Sequence, residues 1–249
     1  MCFEKRLFFH GERRCKNNCL YCFSSFNDTI KENVLSSRTN CEHTFVYPIC
    51  DSEILDQEAS FFSDVLEKFS GGSSVISIST KNIWPEGMLQ AIKNFNSQNK
   101  SGFIKLSICF SCKTMIEEIE PMAAQYKERR AFLQKIVDYD IPTCVIIKPI
   151  LPFVDYREYV SIVDDCGEHC ADFVLGHLYV DKSTSFFRER IEGKYQTINK
   201  YCAWLGRNCL SVMDDKYGRL MDYIQKCGYR AFHSDREFLE YKREQHAAK

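Results

Sequence analysis

The sequence predicts an α/β fold: a partial (β/α)6, TIM-like barrel of parallel strands with a short C-terminal helical extension. Short apolar runs rich in β-branched and aromatic residues alternate along the chain with longer amphipathic stretches, which is the pattern of βα units. A chain of 249 residues is also long enough to bury the core of one such barrel. We assign residues 1–182 to the barrel core and residues 183–249 to an extension packed on it.

Six strands are expected, each an apolar run bounded by polar or turn-forming residues. They are predicted at residues 5–9, 44–50, 75–80, 103–109, 143–147 and 172–180. Asp51 or Ser52 is placed to cap the helix after the second strand. Pro85 suits the first turn of the next helix. Pro121 separates one helical turn from a helix predicted over 122–139.

Charge and hydropathy argue against two classes of protein, a membrane protein and a protein that is basic overall. Lys and Arg number 33 against 34 Asp and Glu, so no overall positive field draws the chain to nucleic acid. The first residues do not resemble a secretory signal, and no stretch reaches the ~18–20 apolar residues of a membrane helix. We therefore expect a cytoplasmic protein, in which the 14 cysteines are reduced and some of them hold metal.

Cys15, Cys19 and Cys22 have the spacing C-x3-C-x2-C directly after the first predicted strand. Loops at the carboxyl ends of barrel strands carry the chemistry of such folds, and thiolates are soft ligands suited to iron-sulfur clusters. Three cysteines leave one iron of a four-iron cube open to a substrate or cofactor. A zinc site that uses the triad with His10, Cys41 or His43 is the alternative.

The triad, with Tyr21 just before its third cysteine, resembles the cluster loop of the radical S-adenosylmethionine superfamily. The resemblance implies a [4Fe-4S] cluster whose open iron is chelated by S-adenosylmethionine. It further implies reductive cleavage of that cofactor to a 5′-deoxyadenosyl radical, which takes hydrogen from a substrate. A reductant such as flavodoxin or ferredoxin would supply the electron.

Within the superfamily, residues 15–155 resemble the spore photoproduct lyase group. The likeness is carried by the segments 48–53, 79–81, 106–108, 120–121 and 148–150 and by Arg129. A glycine-glycine-acidic motif after the second strand, common elsewhere in the superfamily, is absent, so the contact to the cofactor amine is unassigned.

The resemblance and the chemistry of a zwitterionic cofactor give these positions expected roles. A cation meets the methionyl carboxylate, hydroxyl and carboxylate groups bind the polar end and the ribose, and aromatic and backbone groups border the adenine. The expected cofactor-binding residues are Tyr21, Phe23, Asp51, Ser52, Lys81, Ser107, Arg129, Lys148 and Ile150. The alternatives are a solvated Lys81, a core hydroxyl at Ser107 and a structural Glu120–Arg129 ion pair.

Cys50 falls where the photoproduct lyases carry a cysteine that returns a hydrogen atom to the product radical. The alternative is a small buried apolar residue, the common state of a free cysteine. Cys109 and Cys144 are expected to pack in core strands, and a second metal site among the later cysteines is not expected.

The sequence thus favours a radical S-adenosylmethionine enzyme. Its closest resemblance implies a nucleic-acid lesion as substrate. Two alternatives are a radical enzyme that modifies a peptide, a protein or a small metabolite, and a non-catalytic zinc or iron-sulfur binding module.

Overall fold

A computed structural model describes residues 6–22, 32–38, 44–202 and 205–247. Its main sheet has seven strands in the order β1-β2-β3-β4-β5-β6-β10, and all neighbours are parallel. The strands are β1 Arg6–Phe8, β2 Phe45–Tyr47, β3 Val75–Thr80, β4 Phe103–Phe110, β5 Val145–Ile147, β6 Asp172–Leu175 and β10 Arg230–Phe232. Within the described residues β1 does not pair with β10, so the barrel is open.

Helices lie between successive strands, and the last helix follows the final strand. They are α1 Phe61–Phe69, α2 Glu86–Gln98, α3 Ile116–Ile119, α4 Tyr126–Asp138, α5 Tyr156–Gly167, α6 Lys216–Lys226 and α7 Asp235–Ala247. A second, antiparallel sheet consists of β7 Tyr179–Val180, β8 Thr197–Cys202 and β9 Arg207–Val212, in the order β7-β9-β8. No helix in the part of the chain described is long and apolar enough to cross a membrane.

The partial parallel barrel is confirmed, with one strand more than predicted. The predicted strand at 172–180 divides into β6 of the main sheet and β7 of the small sheet. The additional strand β10 pairs with β6, so residues beyond 183 contribute to the main sheet. The division into a core at 1–182 and an extension stays a prediction.

Two helix starts were predicted wrongly. Asp51 and Ser52 cap no helix, because the Asp51 carboxylate bonds to His10 and to the Gly11 amide. A short 3-10 helix, Ile54–Asp56, follows instead, and α1 begins only at Phe61. The helix expected from residue 122 begins at Tyr126, where Gln125 and Glu128 form a reciprocal capping box.

The barrel interior has its own apolar core, separate from the larger core between the sheet and the helices. It contains Phe45, Val75, Phe103, Ile146 and Val174 from the strands, Cys144 just before β5, and Phe238 and Leu239 from α7. Several of these residues lie where their strands begin, so α7 fills the amino-terminal end of the barrel. The Lys105 Nζ atom lies 2.5 Å from Asp235 Oδ1 and fixes α7 there. The carboxyl ends of the strands are left for the site.

Candidate active site

The cysteine loop lies directly after β1 and is held by bonds to three other parts of the chain. The Leu20 amide donates to the Ile119 carbonyl at 2.9 Å, and the Lys16 amide donates to Asp56 Oδ2 at 2.9 Å. The side chain of Asn17, 2% exposed, donates to Glu53 Oε1 at 2.9 Å. The predicted cluster loop is therefore an ordered turn beside the segment that follows β2 and the end of α3.

The three thiols influence one another electrostatically. The pKa of Cys15 is raised to about 12, chiefly by burial; the bond from the Asn17 backbone opposes the rise, and the charges of Glu53, Cys19 and Cys22 add to it. Burial also raises the pKa of Cys19, with Glu120 and Cys22 adding to the effect and Lys81 opposing it. Because a metal binds cysteine as the thiolate, a positive metal centre would offset this effect of burial.

The zinc alternative needs a fourth ligand beside the three cysteines. Among the described residues, no three His, Cys, Asp or Glu side chains are grouped to hold one metal ion. The ligands of a cluster bind separate irons and stand farther apart than those of one zinc ion. His10, one proposed fourth zinc ligand, bonds through Nδ1 to Asp51 Oδ2 at 2.8 Å. Cys41 and His43, the other two, lie outside the described residues.

A buried carboxylate, Glu120, lies beneath the loop. The Tyr21 hydroxyl donates to Oε1, as does Ser111 Oγ at 2.7 Å. Lys81 Nζ lies 3.2 Å from Oε1, and Arg129 Nη2 lies 2.5 Å from Oε2. Burial alone would raise the pKa of Glu120, but the two cations and the two hydroxyls lower it to about 2. Glu120 is thus ionised and organises the base of the loop.

Lys81, at the end of β3, connects Glu120 to the cysteines. Its Nζ donates to Cys19 Sγ at 3.2 Å and to the Tyr21 hydroxyl oxygen at 2.5 Å. Burial would lower the pKa of Lys81, but the charges of Glu120, Tyr21 and Cys19 outweigh it and raise the pKa, so the ammonium persists. The structure brings Lys81, Tyr21 and Cys19 together, and the contact of Lys81 with the methionyl carboxylate stays a prediction.

Glu53 is a second buried carboxylate, and sequence reasoning assigned it no role. It accepts hydrogen bonds from Asn17, from Thr80 Oγ1 at 2.6 Å and from the Lys81 amide at 2.9 Å. It therefore ties the cysteine loop to the end of β3. The one sequence signal that could have revealed this role was an acidic residue inside the 48–53 segment, which was expected to be an exposed helix start.

The residues after β2 lie at the same rim of the barrel. The Cys50 amide donates to the Phe9 carbonyl at 3.0 Å, and its half-buried thiol is 3.7 Å from the Tyr47 carbonyl. Asp51 bonds to His10 and Gly11, while Ser52 Oγ accepts from Gln57 at 3.0 Å. Ribose contacts by Asp51 and Ser52 remain predictions.

The other expected cofactor residues divide into buried and rim positions. Ser107 is fully buried, and its hydroxyl accepts from the Cys144 amide at 3.1 Å, which matches the core-hydroxyl alternative. Arg129, also fully buried, donates to the Cys109 carbonyl besides pairing with Glu120, which matches the structural ion pair. Lys148 is exposed at the rim, and the Ile150 amide bonds to Gly176. Phe23 lies outside the described residues.

No family model and no curated protein sequence matches the chain. Solved structures do match. A spore photoproduct lyase mutant with a cysteine changed to serine aligns with a TM-score of 0.63 and 14% identity, over 89% of this chain and 72% of its own. For spore photoproduct lyase complexed with dinucleoside spore photoproduct, the TM-score is 0.58 at 13% identity, over 86% and 70% of the two chains.

A second kind of enzyme gives a similar match. Streptococcus suis SuiB bound to S-adenosylmethionine aligns with a TM-score of 0.57 and 11% identity, over 93% of this chain and 50% of its own. At such identities the likeness establishes the fold, which is the partial barrel of these radical S-adenosylmethionine enzymes.

Proposed function

We propose that this protein is a radical S-adenosylmethionine enzyme that binds a [4Fe-4S] cluster through Cys15, Cys19 and Cys22. The observation that carries the proposal is an ordered C-x3-C-x2-C loop, directly after β1, in a fold shared with spore photoproduct lyase and SuiB. Neither feature alone would be as specific, since a cysteine loop also suits zinc and a barrel hosts many activities.

When bound, the cluster and S-adenosylmethionine supply one-electron cleavage of the cofactor and a 5′-deoxyadenosyl radical that takes hydrogen from the substrate. Lys81 would hold the methionyl carboxylate while staying anchored to Glu120. Tyr21, Phe23, Asp51, Ser52, Ser107, Arg129 and the backbone at Lys148 and Ile150 complete the proposed cofactor site. Of these, Ser107 and Arg129 would act by supporting the cavity wall, because both are fully buried.

Cys50 is the proposed hydrogen donor to the product radical. Its S–H bond breaks, a C–H bond forms on the product, and a thiyl radical remains on Cys50. Burial raises the pKa of Cys50, with Asp51 adding to the effect and the Phe9 backbone and Lys148 opposing it. The residue therefore keeps the hydrogen at neutral pH, and a thiolate would have none to give.

The test is anaerobic reconstitution of the full chain followed by iron and sulfide analysis and a cofactor-cleavage assay with dithionite. About four irons and four sulfides per chain are expected for one cube, together with 5′-deoxyadenosine. Replacing Cys15, Cys19 or Cys22 by serine should abolish both results. Cys227→Ser is the matched control, because Cys227 is exposed at the end of α6. Zinc without sulfide would reject the proposal in favour of a non-catalytic zinc module.

The substrate class is the finer part of the proposal. Spore photoproduct lyase was solved with a dinucleoside photoproduct, which supports a nucleic-acid lesion. The alternative from the sequence, a peptide, protein or small-metabolite substrate, stays open because the fold is shared with SuiB as well. Product analysis with ultraviolet-irradiated DNA, read in wild type and in Cys50→Ala, would separate them. Cys50→Ala should still cleave the cofactor and should misdirect the product. A flavodoxin or ferredoxin is the proposed reductant, and the cytoplasm the proposed location.

A further inference from the structure

A basic and aromatic cluster lies at the rim of the barrel, across the open mouth from β1. Lys148 follows β5, His177 follows β6 and His233 follows β10, and these three strands are parallel neighbours. The carboxyl ends of parallel neighbours meet at one edge, so the three residues lie side by side. Tyr217, in the first turn of α6, lies between the two imidazoles.

The rings form a stacked series. The His177 and Tyr217 ring centroids are 4.2 Å apart with planes inclined by 10°. The Tyr217 hydroxyl lies 3.1 Å from His233 Nδ1, and the His233 amide donates to Glu237 Oε2 at 2.8 Å. These contacts hold His177 and His233 in fixed orientations at the mouth of the barrel.

The Lys148 side chain reaches this cluster because residue 176 is a glycine. A Cβ atom at Gly176 would stand 2.5 Å from both Cγ and Cδ of Lys148, so the lysine stem occupies the place of a side chain. The stem therefore crosses the end of β6 next to His177. The charge of Lys148 also opposes the rise in the pKa of Cys50 that burial causes. The ammonium thus lies within electrostatic reach of both Cys50 and His177.

Lys200 lies on β8 of the small sheet, which adjoins the residue after His177 through the bond from the Val212 amide to the Leu178 carbonyl at 2.9 Å. Burial, followed by the charges of Lys200, Lys148 and His233, lowers the pKa of His177 to about 4. Burial alone lowers the pKa of Lys200, and no carboxylate opposes that effect. Within the described ranges, no carboxylate oxygen lies within 4.0 Å of the ammonium of Lys148 or of Lys200. Two cations and a neutral imidazole thus share one part of the rim.

We propose that this rim cluster, defined as Lys148, His177, Lys200, Tyr217 and His233, binds a phosphate group of the substrate. Two ammonium groups balance a doubly charged phosphate, and a neutral imidazole adds a hydrogen bond to it. The link to catalysis rests on the proposed function, because the phosphate would be held on the rim that carries Cys50. The rim cluster would thereby hold the substrate through its phosphate group.

Phosphate binding can be measured whether or not the chain cleaves S-adenosylmethionine, so failure of one proposal is distinguishable from failure of the other. Inorganic phosphate is titrated into the reconstituted full chain, and the histidine ring resonances are followed by NMR. Saturable binding with shifts at His177 and His233 is expected. Acetate, as a carboxylate probe, should bind at least tenfold more weakly.

Lys148→Ala and Lys200→Ala should each weaken phosphate binding about tenfold, which is about 1.4 kcal/mol. Lys226→Ala removes an exposed lysine at the end of α6 and should leave the affinity unchanged. Gly176→Ala should weaken binding because it displaces the Lys148 stem. Unsaturable binding by the wild type, equal binding of acetate, or equal loss in Lys226→Ala would overturn the proposal. Near-ultraviolet circular dichroism verifies that each variant is folded.

Discussion

The ammonium of Lys81 and the carboxylate of Glu120 lie 3.2 Å apart beneath the cysteine loop. Their side chains are 16% and 0% exposed, so the pair is shielded from solvent on the carboxylate side. Lys81 comes from the end of β3, and Glu120 follows α3. Because Lys81 also donates to Cys19, the pair fixes this proposed cluster ligand relative to the end of β3.

Glu120→Gln should lower the free energy of unfolding by about 3 kcal/mol. The substitution leaves the buried cations Lys81 and Arg129 without their shared carboxylate, and uncompensated buried charge is costly. Urea denaturation of the full chain measures the change. Glu117→Gln, an exposed change on α3 just before Glu120, should alter the free energy by less than about 0.5 kcal/mol. Equal stability of the two variants would contradict the assigned role.

Lys105→Met should lower the free energy of unfolding by about 3 kcal/mol. The Lys105 side chain is fully buried, and its removal leaves the Asp235 carboxylate inside the barrel with only hydroxyl donors. Lys105→Met with Asp235→Leu should recover part of the loss, because no charge then remains buried. Lys135→Met, at an exposed position of α4, is the control. Hydrogen exchange should show faster opening of α7 in Lys105→Met only.

The folded state should lose stability as the pH falls from about 6.5 towards 4, with His177 contributing to the loss. Its pKa is lowered from 6.5 to about 4, chiefly by burial, so the unfolded chain binds a proton in this range and the folded chain does not. His177→Gln should reduce the slope of stability against pH. In an NMR titration, Lys200→Ala should raise the pKa of His177. An unchanged pKa would contradict the placement of Lys200.

Gly102→Ala should destabilise the protein by about 1–3 kcal/mol, the usual cost of overpacking. A Cβ at Gly102 would lie 2.4 Å from the Ser74 carbonyl oxygen, a backbone atom that cannot move without displacing the start of β3. Gly87→Ala is the matched control. A Cβ there meets nothing within 4 Å, and alanine in α2 should stabilise by up to about 1 kcal/mol. Thermal and urea unfolding of both variants would check that the two changes in the free energy of unfolding have opposite signs.

Much of this arrangement follows from local patterns in the sequence. The strands with continuous apolar runs, such as β3 and β4, were predicted almost to the residue, and the position of the cysteine loop after β1 followed from them. By contrast β10 has three residues, of which Arg230 is exposed, and exists through its pairing with β6. No local periodicity could reveal such a strand.

Long-range polar contacts account for the other differences between the sequence predictions and the structure. Asp51 is a residue type that often caps helices, but its carboxylate is hydrogen-bonded to His10, which lies 41 positions away in the sequence. The burial of Glu53 depends on donors from Asn17 and Thr80, which only the folded sheet brings near. The rim cluster likewise joins residues from β5, β6, β8, α6 and β10. Of these residues only Lys148 was expected at a site, and sequence spacing gave no sign that the other four lie near it.

The placement of α7 inside the barrel has a consequence for biosynthesis. Phe238 and Leu239 complete the interior core, and Asp235 reaches Lys105 from 130 positions further along the chain. During translation, every strand of the main sheet leaves the ribosome before the helix that seals it. Until α7 emerges, the apolar side chains that it covers lack this helix as a partner, and chaperones can shield them during that interval.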